Sequence, residues 1–103
     1  MVKEYNNNFL EELFSVIALR DKSKGTNSYT KTLLKQGKKK IAQKIGEESS
    51  ELIVDYLCGP RKRVIEEASD LLYHLVVLLY SKKISIKDIE KELTKRKKNV
   101  RYK

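Results

Sequence analysis

Apolar residues recur along the chain at intervals of three and four, the spacing that lines one face of a helix. Leu10, Leu13, Phe14, Ile17 and Ala18 form the first such stripe; with Asn8 and Glu11 as a start signal, they predict a helix from about Phe9 to Arg20. Asp21 to Asn27 is polar, contains Gly25 and reads as a loop, after which Ser28 caps a short helix ended by Gly37. Ile41, Ile45, Leu52, Ile53 and Tyr56 share the face of a long helix from about Lys38 to Leu57, stopped by Cys58-Gly59-Pro60. The next helix runs from about Arg61 to Tyr80. It begins amphipathic with Val64, Ile65 and Ala68, but Leu71 to Tyr80 is apolar nearly all the way round apart from His74. A last helix starts at Ser85, with Asp88 as its capping-box partner, Ile84 set to pack on Ile89, and Ile86, Ile89 and Leu93 as its stripe.

The pattern predicts an all-α bundle of four main helices and a short connecting helix, and four glycines and one proline leave little room for a meander of strands. At 103 residues the chain is one domain, residues 1–94, followed by a basic, flexible C-terminal tail, 95–103. The all-round apolar segment Leu71 to Leu79 predicts that a second copy of the chain completes the bundle as a homodimer, with the second half of that helix at the interface and Val77 on its outer side. No apolar run approaches the roughly 20 residues of a membrane span, and the polar start of the chain lacks a signal-peptide core, so the expected location is cytoplasmic. Cys58 and His74, each the sole residue of its type, exclude an internal disulfide and a zinc ligand set.

The formal charge of +9 suggests a nucleic-acid-binding protein until it is divided along the chain. Lys95, Arg96, Lys97, Lys98, Arg101 and Lys103 hold six of the 23 basic residues, leaving 17 against 14 acids in the body. A small basic nucleic-acid-binding protein is therefore the minor reading, since acids at the core edge would repel a polyanion.

Those acids carry the chemistry. At about 100° per residue, Glu48 falls within roughly 20° of Ile41 and lies between Ile45 and Leu52, at the edge of the core. Glu51 is one turn on, and Glu67 and Asp70 border the stripe of Val64, Ala68 and Leu71 on the following helix. If the two helices fold back on each other at Gly59-Pro60, all four carboxylates converge, and their mutual repulsion calls for a hard divalent cation, Mg²⁺ or Mn²⁺. Glu47 precedes the set.

Glu48-x-x-Glu51, then fifteen residues, then Glu67-x-x-Asp70 resembles the metal motif of the MazG-like all-α nucleoside triphosphate pyrophosphohydrolases. Asn27-Ser28-Tyr29-Thr30 with Leu33, Lys44-Ile45-Gly46-Glu47-Glu48, and Glu67-Ala68-Ser69-Asp70-Leu71-Leu72-Tyr73-His74-Leu75 narrow the resemblance to the phosphoribosyl-ATP pyrophosphatase family, over roughly residues 10 to 96. The resemblance implies hydrolysis of phosphoribosyl-ATP to phosphoribosyl-AMP and pyrophosphate in histidine biosynthesis. It also implies Mg²⁺ held by Glu48, Glu51, Glu67 and Asp70, with Glu47 or one of the ligands taking the proton of the attacking water. A house-cleaning nucleoside triphosphate pyrophosphohydrolase is the neighbouring alternative, because the acids handle only the phosphates common to both substrates.

Further candidates for the substrate surround this set. Lys44, one turn before Glu48, offers countercharge to a polyphosphate. Ser28, Tyr29 and Thr30 supply hydroxyls for phosphate or ribose, or else a helix cap and a packing tyrosine. His74 either reaches a carboxylate or substrate phosphate from one turn beyond Asp70, or is a satisfied core histidine. Arg20 either contacts substrate or complements the end of its helix.

Overall fold

The computed structural model describes residues 9–24 and 28–98. Among them are five helices and no strand: α1 (Phe9–Lys22), α2 (Tyr29–Gln36), α3 (Lys38–Cys58), α4 (Arg61–Ser81) and α5 (Ile86–Lys98). The all-α expectation holds, and Asn8, the expected first cap, lies outside the described residues.

Local chemistry explains the boundaries. Ser28 has extended backbone, and its hydroxyl accepts the Lys31 N–H at 3.2 Å, capping α2. Gly37 ends α2 and opens α3 at φ 90°, a conformation that strains any side chain, and its N–H meets the Leu33 and Leu34 carbonyls. At Gly59 the reason for glycine is space, since a Cβ there would sit 2.5 Å from Asp55 Oδ1. Ser85 and Asp88 form the reciprocal cap of α5, with the Ser85 N–H donating to Asp88 Oδ2 at 2.9 Å and the Asp88 N–H to Ser85 Oγ at 3.1 Å.

The turn at Gly59-Pro60 folds α3 and α4 into an antiparallel hairpin. Asp55 faces Arg63 at 3.7 Å, Glu48 comes together with Glu67 and Asp70, and Ile41 and Leu78 line one groove farther out. The core occupies the open end of this hairpin, where α1 and α2 lie across it. Ile17, Leu33, Ile41, Val76 and Val77 are buried there. Phe14 meets the Tyr80 ring edge-on at 5.6 Å, and the Tyr80 hydroxyl donates to Asp21 Oδ2 at 2.6 Å.

Two expectations change. Val77 is fully buried inside the chain, because α1 brings Ile17 against the side of α4 that was read as outward. The least covered apolar surface is instead the closed tip of the hairpin, where Tyr56 and Leu57 are 75% and 71% exposed and Ile53, Val54 and Ile65 are also exposed. The basic tail does not begin as coil: α5 continues through Lys98, supported by the Arg96–Glu92 pair at 3.1 Å one turn apart. Among the described residues no helix is long and apolar enough to cross a membrane.

Candidate active site

Helical spacing places Glu48 on the face of α3 that meets α4, and the hairpin register sets Glu67 and Asp70 opposite it. One carboxylate oxygen from each of Glu48, Glu67 and Asp70 lies within 4.8 Å of the other two. Glu51, a turn along α3, stands near enough to Glu67 for its charge to act on that carboxyl. Glu48 and Glu67 are only 8% and 4% exposed, whereas Asp70 and Glu51 reach the surface.

Each buried acid has one oxygen supported and one bare. Arg63 donates to Glu67 Oε2 at 2.6 Å, and Lys44 Nζ lies 3.9 Å from Glu48 Oε2. Glu48 Oε1 and Glu67 Oε1 are buried without a hydrogen-bond partner among the described residues. Buried bare acceptors carry a desolvation cost of about 1–3 kcal/mol each unless something fills the space between them. Burial pushes the Glu67 carboxyl up to about 7, reinforced by the neighbouring Glu51 carboxylate and by the charge of Glu48, against the opposing pull of Arg63. An oxygen-only set with two empty acceptors and this much repulsion fits a hard divalent cation.

The remaining expected residues divide by what they touch. Glu47 points outward and accepts from Gln43 Nε2 at 2.8 Å, with Lys44 Nζ at 3.5 Å; the Gln43 bond first and the lysine next hold its carboxyl below the usual range. Lys44 therefore bridges Glu47 and Glu48 at the mouth of the site. Tyr29 is half exposed, and its hydroxyl lies 2.8 Å from His74 Nε2. His74 is buried, and its Nδ1 lies 2.8 Å from the Asp70 carbonyl oxygen. One turn beyond Asp70 on α4, the ring meets backbone and a tyrosine instead of a carboxylate side chain. Ser28 is the α2 cap. Thr30 is fully buried and bonded to the Tyr73 hydroxyl, so it ties α2 to α4 and has no surface to offer a substrate.

Arg20 is not brought to the acids. It is exposed near the end of α1, and the adjacent Asp21 meets Tyr80, which lies about 15 Å along α4 from Asp70. Arg63 was missed in the sequence. It also pairs with Glu66 at 3.0 Å, and its position four residues before Glu67 on one helix was the available signal.

Residues 10–97 match the family model described as phosphoribosyl-ATP pyrophosphohydrolase. The chain is 43% identical over 93 residues to a phosphoribosyl-ATP pyrophosphatase of Sulfolobus acidocaldarius, covering 90% of this chain and 98% of that one. It is 41% identical over 95 residues to one of Clostridium novyi, covering 92% and 86%. Over 90 residues it is 40% identical to a histidine biosynthesis bifunctional protein of Thermotoga maritima, covering 87% of this chain and 46% of that protein.

Proposed function

The chain belongs to the phosphoribosyl-ATP pyrophosphohydrolase family, and on that premise we propose that it hydrolyses phosphoribosyl-ATP to phosphoribosyl-AMP and pyrophosphate, a step of histidine biosynthesis in the cytoplasm. The observation that carries the reading is the acid cluster of Glu48, Glu67 and Asp70, two of whose buried oxygens have no partner. Water adds to the α-phosphorus, the α–β anhydride breaks, and pyrophosphate leaves.

Glu48, Glu51, Glu67 and Asp70 would hold Mg²⁺, with Mn²⁺ the other suitable ion. When bound, such an ion supplies neutralisation of the leaving pyrophosphate and a lower pKa for the attacking water. Arg63 holds the Glu67 carboxylate in place through its 2.6 Å bond. Lys44, already at the rim, gives countercharge to the polyphosphate. Glu47, kept ionised by Gln43 and Lys44, receives the proton of the water, a task that falls to a cluster acid if Glu47 is dispensable. Tyr29, held by His74, lies within electrostatic reach of Lys44, Glu47 and Glu48, whereas Ser28 is occupied as the α2 cap and Arg20 lies away from the acids.

The active unit in this proposal is a homodimer. The bare apolar tip of the hairpin supports it, since leaving Ile53, Val54, Tyr56 and Leu57 in water forgoes roughly 25 cal/mol per Å².

The test is release of pyrophosphate from phosphoribosyl-ATP with Mg²⁺, abolished by a chelator. No release refutes the proposal, and faster turnover of dUTP or dCTP transfers it to the house-cleaning class.

A further inference from the structure

Tyr29 is the first residue of α2, set in place by the Ser28 cap before it, and its ring stands against α4 at the edge of the acid cluster. The hydroxyl lies 2.8 Å from His74 Nε2, and His74 Nδ1 lies 2.8 Å from the Asp70 carbonyl oxygen, so one imidazole ring separates the tyrosine from the backbone of a cluster residue. Lys44, Glu47 and Glu48 are within electrostatic reach of it from the α3 side. The ring is therefore beside the acids and not among them.

Its neighbours grip it without covering it. His74 meets the hydroxyl end, with the two ring planes at 83° and their centroids 5.7 Å apart, and Tyr73 sits to one side, 6.3 Å away and tilted by 30°. Thr30, the next residue, is fully buried and bonded to Tyr73, which pins the turn of α2 that carries Tyr29. Tyr29 itself stays 52% exposed. A ring held rigid and half in water gains most from a flat apolar partner, which removes its open surface from water and stacks on it. A phosphate is the wrong partner, because its negative oxygens meet the negative face of the ring. The flat, neutral group of a nucleotide is its base, one sugar removed from the reacting phosphorus, and Tyr29 stands in that relation to the acids.

We infer that Tyr29 is a specificity-determining residue whose open ring face stacks on the base of the nucleotide, with the contact to His74 holding the ring in that pose. The inference rests on the proposed nucleotide substrate and adds what the acids cannot supply, selection of a nucleotide over a base-free polyphosphate.

The test is calorimetry on the full chain with Mg²⁺, on the wild type, Tyr29→Phe and Tyr29→Leu. It compares α,β-methylene-ATP, whose α–β bridge cannot be hydrolysed, with inorganic tripolyphosphate, which has no base. Tyr29→Leu should weaken the nucleotide about tenfold, the scale of one base stacked on one aromatic ring, and leave tripolyphosphate unchanged, which also shows that the variant is folded. Tyr29→Phe keeps the face and loses only the hydroxyl, so it should bind both ligands much as the wild type does. Equal weakening of both ligands by Tyr29→Leu, no weakening of the nucleotide, or a loss in Tyr29→Phe as large as in Tyr29→Leu overturns the inference. Because calorimetry does not measure pyrophosphate release, the expected binding pattern in a protein that releases none refutes the proposed reaction and leaves the stacking role standing.

Discussion

A cation entering the acid cluster should displace a proton from it. Glu67 is held up to about 7, so near neutral pH the metal-free cluster carries part of a proton on Glu67. A carboxyl with that value is about half protonated at pH 7, about nine-tenths at pH 6 and about one-tenth at pH 8. Binding of Mg²⁺ should therefore release about half a proton at pH 7, and the apparent affinity should fall about tenfold from pH 8 to pH 6. Calorimetric titration in two buffers of different ionisation enthalpy reads the proton directly. Glu67→Gln should bind the metal more weakly and release none. The sign for stability follows from the same shift. The raised value means that the unfolded chain gives up its proton first, near 4.5, so the metal-free fold is most stable below that pH and loses stability as pH rises towards 7. Saturating Mg²⁺ should reverse the slope. Heat release independent of buffer, together with an affinity flat from pH 8 to pH 6, would refute the reasoning.

Glu48→Gln should abolish pyrophosphate release while the melting temperature of the metal-free protein stays equal or rises, because one of several mutually repelling acids is neutralised. Val77→Ala removes two methyl groups from a fully buried side chain and should cost about 2–3 kcal/mol in denaturant unfolding, independent of protein concentration. Leu57→Lys, at the bare hairpin tip, should weaken self-association in sedimentation without changing helical content, whereas an undisturbed dimer would exclude the tip from the interface. Gly37→Ala meets no neighbour within 4 Å but must hold φ 90°, so thermal unfolding should show a loss of about 1 kcal/mol from strain alone.

The features legible in the sequence are those governed by local spacing. Ser28, Gly37, Gly59-Pro60 and the Ser85–Asp88 pair act within one turn of chain, and the helices begin and end beside them. The acid cluster was also legible, because a hairpin at Gly59 places Glu48, Glu51, Glu67 and Asp70 by counting alone. The orientation of α4 was not. A segment apolar on every side carries no directional signal, and the covering of Val77 depends on where α1 returns across a loop. Arg63 was legible in principle, four residues before Glu67, but its salience required knowing that Glu67 is buried.

Ser28, Tyr29 and Thr30 show where counting reaches further than it was taken. Three consecutive hydroxyls entering a helix point about 100° apart, so no single ligand can be reached by all of them. Each meets a different partner: Ser28 turns back to the Lys31 N–H, Thr30 turns inward to Tyr73, and Tyr29 alone faces the acids through its bond to His74. Period alone keeps the three from turning to one side. Which one faces the site depends on Tyr73 and His74, more than 40 residues away, and on the crossing of α2 over α4 that brings them near.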